Sequence, residues 1–272
     1  MWVGKFLLDY FGATPIDIGR IEPGDIVGFM VRPTNRYRPG TMQVLGGALR
    51  SYLRFRALGC GDRVEALVVA VPRTADWRLA TVPTHLTAEE VELFLGAFDR
   101  HSATGQRSYA MARCLLDMGL RASEVAGIQL DDLNWPAGTL AIGHGKSRRA
   151  DVLPLPAPTG KAIVQYLRGS RPQSTNRSLF LRHRAPFNAP ISAEFVRGGV
   201  RRAFARCGLD DRFSGTHVLR HTAAMRMRCA GATLKEIADV LRHRSLDTTT
   251  IYSKVDLPRL ASVAAPWPGV LS

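Results

Sequence analysis

The sequence predicts an α+β protein, mostly helical, built as two domains with one small antiparallel sheet. Apolar residues recur at helical spacing through most of the 272 residues. One interval departs from that period: strand-like stretches at 139–142 and 151–155 flank a basic glycine turn. A third stretch, Val69 to Pro83, contains Pro72, Trp77 and Pro83 with little periodicity. It reads as a linker between a helical domain over 1–80 and a second domain over 85–272.

Taken in order, Val3, Phe6, Leu7 and Tyr10 lie at helical spacing until Gly12-Ala-Thr-Pro15 breaks the helix. Glu22-Pro-Gly-Asp25 opens a second helix, Ile26 to Val31, which Pro33 closes. Arg32 to Gly40 is a basic loop. From Thr41 a third helix carries Val44, Leu45, Ala48, Leu49, Tyr52 and Leu53 on its apolar side, with Arg50, Arg54 and Arg56 around the rest. Past the linker, Thr87 and Glu90 have the spacing of a capping box, in which hydroxyl and carboxylate satisfy each other's backbone amides. Two amphipathic helices, Val91 to Phe98 and Ser108 to Met118, follow. Gly119 ends the second and Arg121 to Ile128 opens a short one. Asp131-Asp132 and Trp135-Pro-Ala-Gly138 are turn chemistry leading into the sheet. Helices resume at Thr159 to Arg168, Ala193 to Cys207, His217 to Ala230 and Thr233 to Leu241. A proline-bearing tail ends the chain.

The unusual bulk property is charge. Formal net charge is +14, with 46% apolar and 22% charged residues. An excess of this size is a footprint of nucleic-acid binding, because each neutralised phosphate releases counterions. A nucleic acid is therefore the expected partner, with Arg36, Arg38, Arg50, Arg54, Arg148 and Arg149 as candidate charges facing it. No run of about 18 apolar residues suits a membrane span, and the N-terminus is too short and polar for a secretory signal. A cytoplasmic, nucleoid-associated protein without membrane contact is expected. Cysteines 60, 114, 207 and 229 show no paired spacing and read as free, buried thiols.

The chemistry concentrates between His217 and Tyr252. His217-Val-Leu-Arg220-His221 is followed by Leu241-Arg-His243 and then by Tyr252, and two further cations, Arg121 and Lys146, stand upstream. Metal-free cleavage of a phosphodiester needs a nucleophile, positive charge around the transition state and an acid for the leaving oxygen. A tyrosine hydroxyl, with a pKa of about 10, requires a base or a cationic setting to act as nucleophile. Arginine's planar fork suits phosphate oxygens, histidine shuttles protons, and lysine can protonate a departing alkoxide. His217 and His221 also have the i, i+4 spacing of zinc ligands. The residues between them lack the glutamate of a catalytic zinc helix and no third ligand stands out, so neither metal nor cofactor is expected.

The motifs Gly119-Leu-Arg121-Ala-Ser-Glu124-Val, Gly145-Lys146-Ser, Thr216-His217-Val-Leu-Arg220-His221 and Leu241-Arg-His243, nine residues before Tyr252, resemble those of the tyrosine recombinases, the phage integrase family. The ending resembles recombinases of bacterial mobile elements. The resemblance implies a helical core-binding (SAM-like) domain over 1–80 and a catalytic domain over 85–272. It also implies a site-specific recombinase that forms a covalent 3′-phosphotyrosyl intermediate. Carried over by position, Arg121 and Arg220 grip the scissile phosphate and Lys146 is the general acid on a β-hairpin. His217 and His243 make proton-transfer and phosphate contacts, and Tyr252 is the nucleophile. Glu124 and His221 support the site. The family chemistry uses neither ATP nor metal. It implies a homotetramer in the synaptic complex, with a monomer free in solution.

Two other functions fit the same residues. The first helix begins almost at Met1, where relatives usually carry more chain, so a shortened, catalytically impaired recombinase could occupy sites as a DNA-binding competitor. A type IB topoisomerase-like enzyme would use the same chemistry to relax supercoils. The tail after Tyr252, with Leu257, Leu260 and Trp267, either docks on a neighbouring protomer or folds back on its own domain.

Overall fold

The computed structural model describes residues 3, 4, 8, 20–32, 37, 39–57, 62–73, 84–143, 151–242 and 249. The chain divides into two compact units, Met1–Ala80 and Thr81–Ser272.

In the first unit, α1 (Pro23–Val31), α2 (Pro39–Ala57) and α3 (Asp62–Ala70) enclose a small core. Pro23 at the first position and Asp25, which accepts from the Glu22 amide at 2.8 Å, start α1 three residues ahead of the predicted Ile26. Helices α1 and α2 both pack on α3. Ile26, Met30, Met42, Leu45, Leu49, Leu53, Val64, Leu67 and Val71 meet inside. The stripe along α2 is therefore Met42, Leu45, Leu49 and Leu53, spaced by three and four residues. Val44 lies off that stripe and is exposed, contrary to its assignment to the apolar side. Helix α3 was not anticipated. Its Val64 and Leu67, with Val71 just past its end, do carry the i, i+3, i+7 spacing, and Val69 and Ala70 belong to it rather than to the linker.

The second unit is organised around α5 (Ala103–Asp117), which packs against α6 (Ala122–Gly127), α7 (Ala157–Gly169), α8 (Ala193–Arg206) and α9 (His217–Cys229). Its core runs from Leu86, Phe94 and Phe98 through Met111, Leu115 and Leu116 to Ile163, Tyr166, Phe180, Phe204 and Leu219. Before α5, the capping box forms at the start of α4 (Ala88–Gly96): Glu90 N donates to Thr87 Oγ1 at 3.3 Å, and Thr87 N donates to Glu90 Oε2 at 2.9 Å. Helix α5 begins five residues before the predicted Ser108, capped by Ser102, whose hydroxyl accepts from Gly105 N at 3.1 Å. Arg107 disguises that first turn. It is a charged residue in the core, donating to Leu181 O at 2.6 Å with its guanidinium 4.6 Å from the centre of the Phe195 ring.

Strands β1 (Leu133–Asn134), β2 (Thr139–Ile142) and β3 (Asp151–Pro154) form an antiparallel sheet in that order, Leu140 pairing with Leu133 on one side and Leu153 on the other. The β1–β2 turn needs Gly138, at φ +62°. The predicted basic turn with Lys146, Arg148 and Arg149 lies outside the described residues. Helix α10 (Leu234–Leu241), capped reciprocally by Thr233 and Glu236, packs on α9 through Ile237, Leu241, Ala224 and Met225. Cys114 is buried and burial pushes its thiol up to about 12. Cys229 is exposed, which corrects the expectation of buried thiols: it falls at the last, solvent-facing turn of α9. Among the described residues no helix is long and apolar enough to cross a membrane.

Candidate active site

Three chain segments converge at one place: the turn Gly119–Arg121 between α5 and α6, the first turn of α9, and the C-terminal end of α10. Gly119 makes the convergence possible. Its φ is +61°, which favours glycine, and a Cβ there would press into Leu241 Cδ2, so glycine fits on both counts.

Arg220, on the first turn of α9, is 6% exposed and ties the segments together. Its Nη1 donates to Gly119 O at 2.5 Å and its Nη2 donates to Leu241 O. Arg121, the residue before α6, is more open, with 40% of its side chain exposed. Its backbone amide donates to Glu124 Oε2 at 2.7 Å, its Nη1 to Glu124 Oε1 at 2.8 Å and its Nη2 to Arg242 O at 3.3 Å. Arg242 reaches back to the same carboxylate, Nη2 to Oε2 at 2.5 Å. Burial pushes the Glu124 carboxyl up, but the Arg121 amide and the Arg242 and Arg121 guanidiniums outweigh it and hold Glu124 below the usual carboxylate range.

Between these groups lies a cleft of about 120 Å³ lined by Leu120, Arg121, Ala122, Ser123, Arg197, Thr216, His217 and Arg220. No carboxylate is among its lining residues, and the amide end of α9 opens on it at His217. Fixed guanidiniums and a helix N-terminus together make an anion site. His221, one turn along, is pushed down to about 4 by burial, with the charges of His217, Arg220 and His85 adding to the effect. It is thus a neutral imidazole at pH 7.

Of the sequence-predicted residues, the fold brings Arg121, His217 and Arg220 to one cleft, with Glu124 behind Arg121 and His221 behind His217. Lys146, His243 and Tyr252 lie outside the described residues, as do Arg36, Arg38, Arg148 and Arg149. Arg54 is exposed on α2. Arg50 has an internal role, its Nη2 donating to Pro72 O at 3.0 Å and so tethering the chain just after α3. Two residues were missed. Arg197 lines the cleft while paired to Glu194 at 3.1 Å. Its only signal was a place on the polar face of α8. Arg242 grips Glu124, and the signal was an arginine at a helix end where glycine commonly stops the chain. Among the described residues no cluster of three or more His, Cys, Asp or Glu side chains could hold a metal.

Residues 84–258 match the model of the phage integrase family. The chain is 39% identical over 267 residues to a Sinorhizobium fredii protein described by inference as integrase/recombinase y4rA, covering 98% of this chain and 64% of that protein. It is 30% identical to tyrosine recombinase XerC of Brucella suis, over 95% of this chain and 82% of the relative. Among solved structures, the XerH site-specific recombinase bound to palindromic difH substrate superposes with a TM-score of 0.78 at 22% identity, over 96% of this chain and 77% of that one. The Tn1549 transposon integrase in complex with circular intermediate DNA gives 0.66 at 19% identity, over 92% of this chain and 85% of that one. At these identities the structural likeness is one of fold.

Proposed function

Because the chain belongs to the phage integrase family, we propose that it is a site-specific DNA recombinase with Tyr252 as nucleophile. The observation that supports this reading is the cleft itself: Arg121, Arg220 and His217 line one small space that has no carboxylate among its lining residues. In the proposed step the Tyr252 hydroxyl passes its proton to an imidazole, His217 or His243, and attacks the scissile phosphorus. The P–O5′ bond breaks, the enzyme keeps the 3′-phosphate as a tyrosyl ester, and Lys146 gives the departing 5′-oxygen its proton. Arg121 and Arg220 stabilise the charge that builds on the non-bridging oxygens, which they do without reorganisation because both are already tethered. His217 and His243 serve proton transfer and phosphate contact. Attack by a 5′-hydroxyl from the partner duplex reverses the step, expels Tyr252 and rejoins DNA. One phosphoester replaces another, so no external energy source is needed.

On this reading the domains over 1–80 and 85–272 each contact double-stranded DNA, and synapsis brings four protomers together. The test uses a library of nicked duplexes with randomised arms, in which cleavage releases a short strand and traps the intermediate. The wild-type chain is expected to yield a denaturation-resistant protein–DNA adduct, and Tyr252→Phe none. Absence of adduct from every pool overturns the proposal in favour of a binding-only protein. An adduct accompanied by supercoil relaxation but no strand exchange redirects it to topoisomerase chemistry.

A further inference from the structure

Arg242 occupies a position its backbone does not suit. It caps α10 at φ +53° and ψ +52°, the left-handed region that favours glycine. Its side chain is nevertheless turned inward, 10% exposed, where it makes two hydrogen bonds and the backbone carbonyl accepts a third. The guanidinium meets Glu124 Oε2 at 2.5 Å, Nη1 donates to Val240 O at 3.0 Å, and the Arg242 carbonyl accepts from Arg121 Nη2 at 3.3 Å. The neighbouring carbonyl, Leu241 O, accepts from Arg220. Each arginine that faces the cleft from α9 or from the start of α6 is therefore held by the last residues of α10, immediately before His243 in the sequence.

The charges give this arrangement a consequence. Glu124 places one negative charge between two guanidiniums, Arg121 at 2.8 Å and Arg242 at 2.5 Å. The trio keeps a net positive charge, and Arg121 remains a cation toward the cleft. With Arg242 removed, Glu124 and Arg121 would form a neutral pair, and the carboxylate would be free to draw the guanidinium away from the cleft.

We propose that Arg242 is a positioning residue: it holds Glu124 and, through Glu124 and its own carbonyl, sets the orientation and effective charge of Arg121. This rests on the recombinase reading above. A group that acts through a ligand-contacting residue should change the chemical step more than the affinity, since DNA binding is spread over many phosphate contacts.

The experiment uses the duplex recovered by covalent capture with the wild-type chain, resynthesised as a defined nicked probe. Arg242→Gly suits the left-handed backbone and removes the latch. At saturating DNA its rate of adduct formation is expected to fall about 10–100-fold, in line with losses of supporting groups around a reactive centre, while the dissociation constant for the uncleaved probe changes less than about threefold. Arg242→Lys, which restores charge without the fork, is expected to recover part of the rate. In a Glu124→Gln background, Arg242→Gly should add little, because its path is already cut. An unchanged rate for Arg242→Gly overturns the proposal, as does an equal loss in affinity and rate, or an undiminished effect in the Glu124→Gln background. If Arg242→Gly does not fold, as judged by its thermal transition, Arg242→Asn, which tolerates the same backbone, carries the test with the same criteria. No adduct from the wild-type chain would instead sink the recombinase reading itself, so the two failures are distinct.

Discussion

Gly119→Ala tests whether the active-site convergence is built on a single missing side chain. The residue stands at φ +61°, where a Cβ costs about 1–2 kcal/mol. The added methyl also collides with Leu241, which is fully buried against Ala224, Met225 and Ile237 and has little room to yield. Overpacking of this kind costs about 1–3 kcal/mol. The expected loss is thus about 2–5 kcal/mol, or a transition lowered by roughly 5–15 °C for a unit of this size. Urea unfolding followed by circular dichroism gives the free energy, and a calorimetric scan gives the midpoint. Gly119→Asn separates the two contributions, since asparagine tolerates the left-handed backbone but keeps the clash, so it should lose only the overpacking part, about 1–3 kcal/mol. The collision also pushes on the Leu241 carbonyl that Arg220 holds, and Gly119 O is itself an Arg220 acceptor. Adduct formation well below the transition should therefore slow as well. A stability within about 0.5 kcal/mol of wild type would refute the steric account, whatever happened to activity.

Two further outcomes follow from buried ionisable groups. His221 has its folded pKa depressed to about 4 from 6.5, so the unfolded chain binds a proton that the folded chain refuses, and stability declines as pH falls from above 6.5 toward 4. The full shift would correspond to about 3 kcal/mol, reduced by partial solvent screening to roughly 1–2 kcal/mol. His221→Gln should flatten that part of the pH–stability curve, and an unchanged slope would show that other groups carry it. Asp117, with 7% of its side chain exposed, joins α5 to two neighbouring helices: it accepts from Thr159 Oγ1 at 2.6 Å and pairs with Arg113 at 2.9 Å and Arg226 at 3.5 Å. Asp117→Ala leaves the nearly buried Arg113 without its partner, while Arg226, 57% exposed, stays hydrated, so the expected cost in urea unfolding is at the low end for a broken buried pair, about 3 kcal/mol. A loss under about 1 kcal/mol would mean that the pairing contributes little beyond the exposed, screened kind.

Local patterns were enough to determine much of this protein. The Thr87/Glu90 box, the helix-ending Gly119 and the strand pair 139–142 with 151–154 are visible in the chain because caps, left-handed turns and hydrogen-bonded pairs depend on neighbours in sequence. The spacing of Arg121, His217 and Arg220 within recognisable motifs pointed to a shared site before any distance was known. What stayed hidden depended on partners far along the chain. Nothing beside Arg107 in the sequence marks it as buried, because its acceptor, Leu181 O, is 74 residues away. Arg50 looked like one of a row of basic residues because the carbonyl it holds belongs to Pro72, beyond a helix whose spacing had gone unread. Val44 and Leu45 are equally apolar, and only the packing of α2 on α3 decides which of them is inside. Arg242 is the sharpest case. Composition records it as one more positive charge in a chain of +14, and its meaning comes entirely from Glu124, 118 positions earlier. A charge count is local and additive, whereas a buried ion pair exists only once folding has removed the water between its partners.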